Sequence, residues 1–225
     1  FVEGKDKSRF VIVGTHFDTK KLMTVPDFAG ANDGSSGTGL QLAMIKAAVA
    51  SRPPYSVRFV FFDGEECFNS YTATDGLYGS RKYAADLEKS GELKKCLAFI
   101  LTDMIGDADL CVTLPADTPT SMQSLIMKIA ATQNVSEYVT ASPTSVIDDH
   151  VPFMEKGIPS VDFIDLSAPA FSSNLHISIL LFFAAAIIGV NPSCPNVLIC
   201  VIAFVFSNIF TILLPLFTRA ALING

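Results

Sequence analysis

Four short apolar runs divide the first 166 positions: 10–14, 57–62, 96–101 and 158–164. Each is rich in β-branched or aromatic residues and lacks the strict alternation of a half-solvated strand. Such runs are predicted to be strands buried on both faces. The segments between them carry a helical period. Leu40, Met44, Ala47 and Ala48 share one face of a helix over 40–50, which Ser51, Arg52, Pro53 and Pro54 stop. A second helix opens at 77–81 and runs to about Lys89. A third begins at Thr118 and Pro119, a cap followed by proline in the first turn, and continues to about Gln133. A short helix ends at Gly157. Strands alternating with helices predict an α/β fold, a three-layer α/β/α arrangement with a mostly parallel central sheet.

The polar residues gather where the strands stop. The 57–62 run ends in Asp63, Gly64, Glu65 and Glu66, a turn followed by two adjacent carboxylates that point different ways. One can hold a metal while the other stays free as a base. The first strand delivers His16 and Asp18, at alternate positions on one face, which suits a ligand histidine oriented by a carboxylate. The third strand delivers Asp103. Two loops supply Asp33, just before a helix, and the run Asp148, Asp149 and His150. In a parallel sheet, ligands bind at the carboxyl ends of the strands. Converging carboxylates with a histidine suit a dication, and zinc is the natural choice for mixed nitrogen and oxygen ligands. The glycine-rich loop 30–39 is not a phosphate-binding P-loop, because no Gly-Lys-Ser/Thr closes it. Cys67 reads as a small buried residue. Tyr71 and Phe153 read as core aromatics or as lining of a substrate pocket.

Charge divides the chain in two. All 22 acidic residues precede Ser167, and Arg219 is the sole basic residue, of 16, beyond that point. The acidic part offers no basic patch and argues against a nucleic-acid partner. Five cysteines without paired spacing imply neither a disulfide framework nor a zinc ribbon. The length fits one domain with a sizeable core, and an opening at Phe1 suggests a fragment or a processed form. No signal peptide is visible at the start.

In combination and order, these residues resemble the zinc-dependent M28 aminopeptidase superfamily. Three blocks look most like its glutaminyl-peptide cyclotransferases: residues 16–20, residues 61–66 with 77–81, and residues 148–153. The resemblance spans about 10–166 and places a catalytic domain over 1–166. It implies one zinc held by Asp33, Glu66 and a later histidine, with Glu65 as general acid/base and Asp103 with Asp148 as a supporting acid pair. The substrate would be the N-terminus of a peptide or protein, cyclised from glutamine to pyroglutamate with release of ammonia. The aminopeptidase alternative uses His16 and Asp103 for a second zinc, with Asp33 bridging, and Glu65 to activate water. The expected compartment is secreted, periplasmic or endomembrane rather than cytosolic.

The resemblance stops at the tail, 167–225. The family's last zinc ligand lies in a Trp-His-Thr-like motif, and this chain has no Trp. His176 is the one histidine left for that role. Residues 197–217 are 21 positions without a charge, long enough to span a bilayer. Three readings of the tail compete: a membrane anchor, a buried core segment, or mistranslated or alternatively spliced sequence. The last is favoured, and it raises a further class, an inactive membrane-tethered homologue.

Overall fold

The computed structural model describes residues 1–25, 27–106, 110–132 and 134–167. Six strands form one sheet: β1 (Asp6–His16), β2 (Tyr55–Phe62), β3 (Cys96–Asp103), β4 (Val112–Leu114), β5 (Val139–Ala141) and β6 (Ser160–Ile164). Their order across the sheet is β2-β1-β3-β6-β4-β5. All neighbouring pairs are parallel except β4 with β6, so the sheet is mixed but mostly parallel, as predicted. The four apolar runs are β1, β2, β3 and β6.

Four helices connect the strands: α1 (Ser35–Ser51), α2 (Tyr78–Lys89), α3 (Thr120–Thr132) and α4 (Val151–Met154). They cover both faces of the sheet. Val11 and Val13 of β1 and Ala98 and Ile100 of β3 pack with Leu40 and Met44 of α1 and with Leu125, Ile126 and Ile129 of α3. The alternate residues Phe10 and Ile12, with Phe99 and Leu101, face α2 and α4. Strict two-residue alternation therefore feeds two separate cores, which is why these runs read as continuously apolar. On the second face Phe99 stacks on Phe153 with ring centroids 4.0 Å apart. Phe153 is fully buried in this core.

The sequence pattern missed β4 and β5. Each is three residues long, too short to carry a period, and β4 meets β6 at the single pair Thr113 and Ile164. Glycine sets one close approach. At Gly14 a Cβ would lie 2.6 Å from the Phe62 ring and 2.7 Å from the Phe99 ring.

The order β2-β1-β3 places a switch point beside β1. The chain leaves β1 for β2 on one side and then lands β3 on the other. In such a sheet a crevice forms at the carboxyl ends of the strands flanking the switch. His16 closes β1 and Asp103 closes β3 at that crevice.

Among the described residues no helix is long and apolar enough to cross a membrane. The apolar run 197–217 and His176 lie outside the described residues.

Candidate metal centre

The site is built from strand ends. His16 Nε2 lies 3.0 Å from Asp103 Oδ1 and 3.2 Å from Asp33 Oδ1. These are the ligand atoms of the one group of three or more His, Cys, Asp or Glu side chains among the described residues that could share an ion. The loop bearing Asp33 is pressed onto β1. Gly34 has φ +94°, and a Cβ there would come within 2.5 Å of the Asp18 carbonyl and 3.2 Å of the His16 ring. The same loop is tied to the end of β3. The Gly106 N–H donates to Asn32 Oδ1 at 2.6 Å and the Ile105 N–H to Ser36 Oγ at 3.1 Å. Asp33 does not cap α1. Gly34 occupies the cap position, and no side chain bonds there.

Asp18 organises the Glu65–Glu66 turn. Its two carboxylate oxygens accept the Glu65 and Glu66 backbone N–H groups, each at 3.1 Å. Its Oδ1 stands 3.6 Å from His16 Nδ1, so the carboxylate is spent mainly on the turn and only secondarily on the histidine. The turn is also held to α2: Leu77 N–H donates to the Glu65 carbonyl and Tyr78 N–H to the Gly64 carbonyl, both at 2.9 Å. The two glutamates diverge as their adjacency predicted. Glu66 meets Lys20 Nζ at 3.3 Å, and its Oε1 is buried without a hydrogen-bond partner among the described residues. Glu65 is 4% exposed and lies beside Tyr71.

Burial and mutual charge shift the acids and the histidine of this arrangement strongly. Burial pushes Glu65 up to about 9, opposed by the positive His16 and reinforced by Asp149 and Asp103. Burial, then the charge of Asp33, pushes Glu66 up to about 7. Burial opposes a charge on His16, yet Asp103, Asp18 and Asp33 together hold its imidazole protonated well above the ordinary histidine range. Two carboxylates crowd the single proton at Nε2, with further buried carboxylates around them, and form a cation-seeking cluster. A dication answers every one of these features at once, so the donor set of imidazole and carboxylates fits zinc.

Behind this edge lies a second acidic group. Asp148, Asp149 and Asp162 are all buried. Burial, then Asp162, drives Asp148 far above the carboxylate range, and burial raises Asp149 to about 7. Both oxygens of Asp162 are buried without a hydrogen-bond donor among the described residues. His150, buried, stands 3.6 Å from Asp117, and burial lowers its pKa. The expected pairing of Asp103 with Asp148 has a different emphasis here. Asp103 is engaged by His16 and by the Met104 N–H at 2.7 Å, whereas Asp162 is the foremost charged neighbour of Asp148.

Sequence reasoning passed over Asp162 as a site residue, although a lone acid inside an apolar strand was a readable signal. Tyr71 was read only as core or pocket lining, and Lys20 only as part of the block 16–20, because neither neighbours its partner along the chain.

Comparison with known proteins gives the family. Residues 2–178 match peptidase family M28. The chain belongs to that family. Within it, the relatives are glutaminyl cyclase-like. The structure superposes on an Acidobacteriales bacterium glutaminyl cyclase with a TM-score of 0.68 and 33% identity, over 83% of this chain and 69% of that one. A zinc aminopeptidase from Bacillus subtilis matches with a TM-score of 0.59 and 27% identity, over 72% of this chain and 38% of that one. The glutaminyl-peptide cyclotransferase of Drosophila melanogaster is 25% identical across 72% of this chain and 52% of its own length. The bovine enzyme of the same name is 26% identical across 72% and 54%. The chain therefore spans about half the length of the curated relatives it matches. The match to the family runs past Leu166 to residue 178, twelve positions beyond the span expected from sequence motifs, and includes His176.

Proposed function

We propose that this M28 chain is a zinc-dependent glutaminyl-peptide cyclotransferase. Its substrates are peptide or protein N-termini that begin with glutamine. The likeness that supports this most is the 33% identity spread over 69% of the Acidobacteriales glutaminyl cyclase. Asp33 and Glu66 would hold the ion together with a later histidine, and its chemistry when bound is Lewis-acid polarisation of the glutamine side-chain carbonyl.

The remaining work falls to the chain's own groups. Glu65 sits next to the ligand Glu66 but is directed elsewhere, toward Tyr71. It takes a proton from the substrate α-amine as the α-nitrogen bonds to the side-chain carbonyl carbon. It returns that proton to the departing nitrogen as the C–NH2 bond breaks, so the products are a pyroglutamyl peptide and ammonia. Asp18 keeps Glu65 and Glu66 apart by holding both of their amides. The buried position of Glu65 excludes water that would otherwise compete with the amine.

One observation favours a second reading. The three-residue cluster of His16, Asp33 and Asp103 is the ligand set that a two-zinc aminopeptidase would use for its second ion. Mass spectrometry of a short peptide with N-terminal Gln, incubated with zinc-loaded protein, separates the two. Loss of one ammonia from an intact peptide is the expected result. Release of free glutamine would instead establish the peptidase.

A further inference from the structure

The chain just after β1, residues 19–28, forms a cleft of about 450 Å³. That volume lies within the range of small-ligand pockets, about 300–1,000 Å³. Its walls carry two lysines, Lys20 and Lys21, and four apolar side chains, Leu22, Met23, Val25 and Phe28. Met23 is 86% exposed and Val25 45%, a wetted apolar surface without an obvious structural purpose. Among the described residues no acid lines the cleft, although Asp27 lies exposed in the same segment.

The cleft is joined to the metal centre. Lys20 Nζ reaches Glu66 and also the Cys67 carbonyl. The Thr19 side chain packs against Gly30, in the loop that carries Asp33. Lys20 is thus committed to the site, and its charge is answered by Glu66. Lys21, the next residue, makes no ion pair among the described residues. An unanswered ammonium beside an apolar wall is complementary to one kind of ligand, an apolar side chain adjacent to a carboxylate. An extended peptide advances about 3.3–3.6 Å per residue. Lys20 lines the cleft and meets Glu66, the chain neighbour of Glu65, so the cleft adjoins the place of a substrate's first residue.

We propose that the cleft over 19–28 is the subsite for the second to fourth residues of the substrate, selecting an apolar residue followed by an acidic one. This rests on the reading of the adjoining centre as acting on peptide N-termini. The structure thereby assigns Lys21 the role of a specificity-determining residue.

The test uses two amidated peptides, Gln-Phe-Glu-Ala and Gln-Phe-Lys-Ala, and their fluorescently labelled pyroglutamyl forms. Binding of the labelled forms by anisotropy and release of ammonia from the glutaminyl forms are measured on the full zinc-loaded chain. The acidic peptide is expected to bind about five-fold more tightly at low salt, the span of a single exposed charge contact, and the preference shrinks as salt screens it. Lys21→Glu reverses the preference, and Lys21→Met abolishes it. Met23→Ser weakens both peptides alike. Equal binding of the two peptides, or a preference indifferent to Lys21→Glu, overturns the proposal. Equal binding together with dimerisation that rises with protein concentration also overturns it and assigns the cleft to a second copy of the chain. Selective binding without ammonia release keeps the subsite and removes the cyclotransferase reading. Ammonia release without selectivity does the opposite.

Discussion

The carboxyl edge of the sheet has two halves, and they treat buried charge in opposite ways. Over β1, β2 and β3 three acids have an answering group. Asp18 holds two amides, Asp103 holds His16 and an amide, and Glu66 holds Lys20. Next to β6, Asp148, Asp149 and Asp162 sit buried with mostly one another for company. In the first half Asp18 is held, despite burial, below its ordinary range by His16 and the two amides, whereas Glu66 is pushed up to about 7 by burial and Asp33. The second half is forced toward the neutral form, because burial penalises charge and like charges compound the penalty. Glu65 stands between the halves. It belongs to the first by position and to the second by electrostatics, since burial lifts it to about 9 with Asp149 and Asp103 contributing. A proton-transfer group is well placed on such a boundary, where small changes in local charge move its affinity for a proton.

The comparison can be broken most severely at that boundary. Glu65→Gln keeps the shape but cannot exchange a proton. We expect kcat to fall by about 10²–10⁴-fold with zinc content unchanged by metal analysis. Loss of zinc in step with activity would make Glu65 a ligand and dissolve the division of labour between the two glutamates. The next largest effect tests what holds the second half in place. Phe153 follows the Asp148–His150 segment and stacks on Phe99 under it. Phe153→Ala is expected to cost about 3–5 kcal/mol in urea unfolding.

A smaller effect should appear in the first half. Asp18→Asn leaves one acceptor oxygen for two amides and removes the negative charge facing His16. Zinc affinity is expected to drop by about 10–100-fold, as for other groups that orient ligands, read by competition with a chromogenic chelator. A change confined to kcat, with zinc affinity intact, would show that Asp18 serves only the turn.

The mildest probe is pH, and Asp18 should answer with the opposite sign to Glu65, Glu66 and Asp149. Asp18 is held below its ordinary 3.8 by His16 and the two amides, despite burial. Its contribution to stability is present above that ordinary value and is lost as pH falls through the lowered one. Glu65, at about 9, and Glu66 and Asp149, at about 7, are raised above ordinary values of 4.5 and 3.8. Their contribution is full below the ordinary values and is lost as pH rises through about 7 and then about 9. Metal-free protein should therefore show a urea midpoint that declines from about pH 4, steeply to about 7 and more gently to about 9. Added zinc should flatten the decline, because a dication favours the ionised carboxylates. A decline of the same size with zinc bound would place the ion away from Glu66.

Much of this was legible along the chain, for a reason visible in the fold. Strands buried on both faces must be continuously apolar, so β1, β2, β3 and β6 announced themselves. Their polar ends then marked where His16, Glu65, Glu66 and Asp103 would emerge. Parallel strands bring such ends to one edge whatever the order of the strands, so convergence followed from the pattern alone. The strand order, the short strands β4 and β5 and the pairing of side chains were not legible. Three-residue strands carry no period, and contacts such as Lys20 with Glu66 or Asp148 with Asp162 join residues distant in sequence. The sequence by itself determined which residue types reach the carboxyl edge and in what order. Only the tertiary structure decided which of those acids meet a cation or an amide and which are buried against each other. That choice depends on through-space distance and desolvation, which residue spacing does not encode.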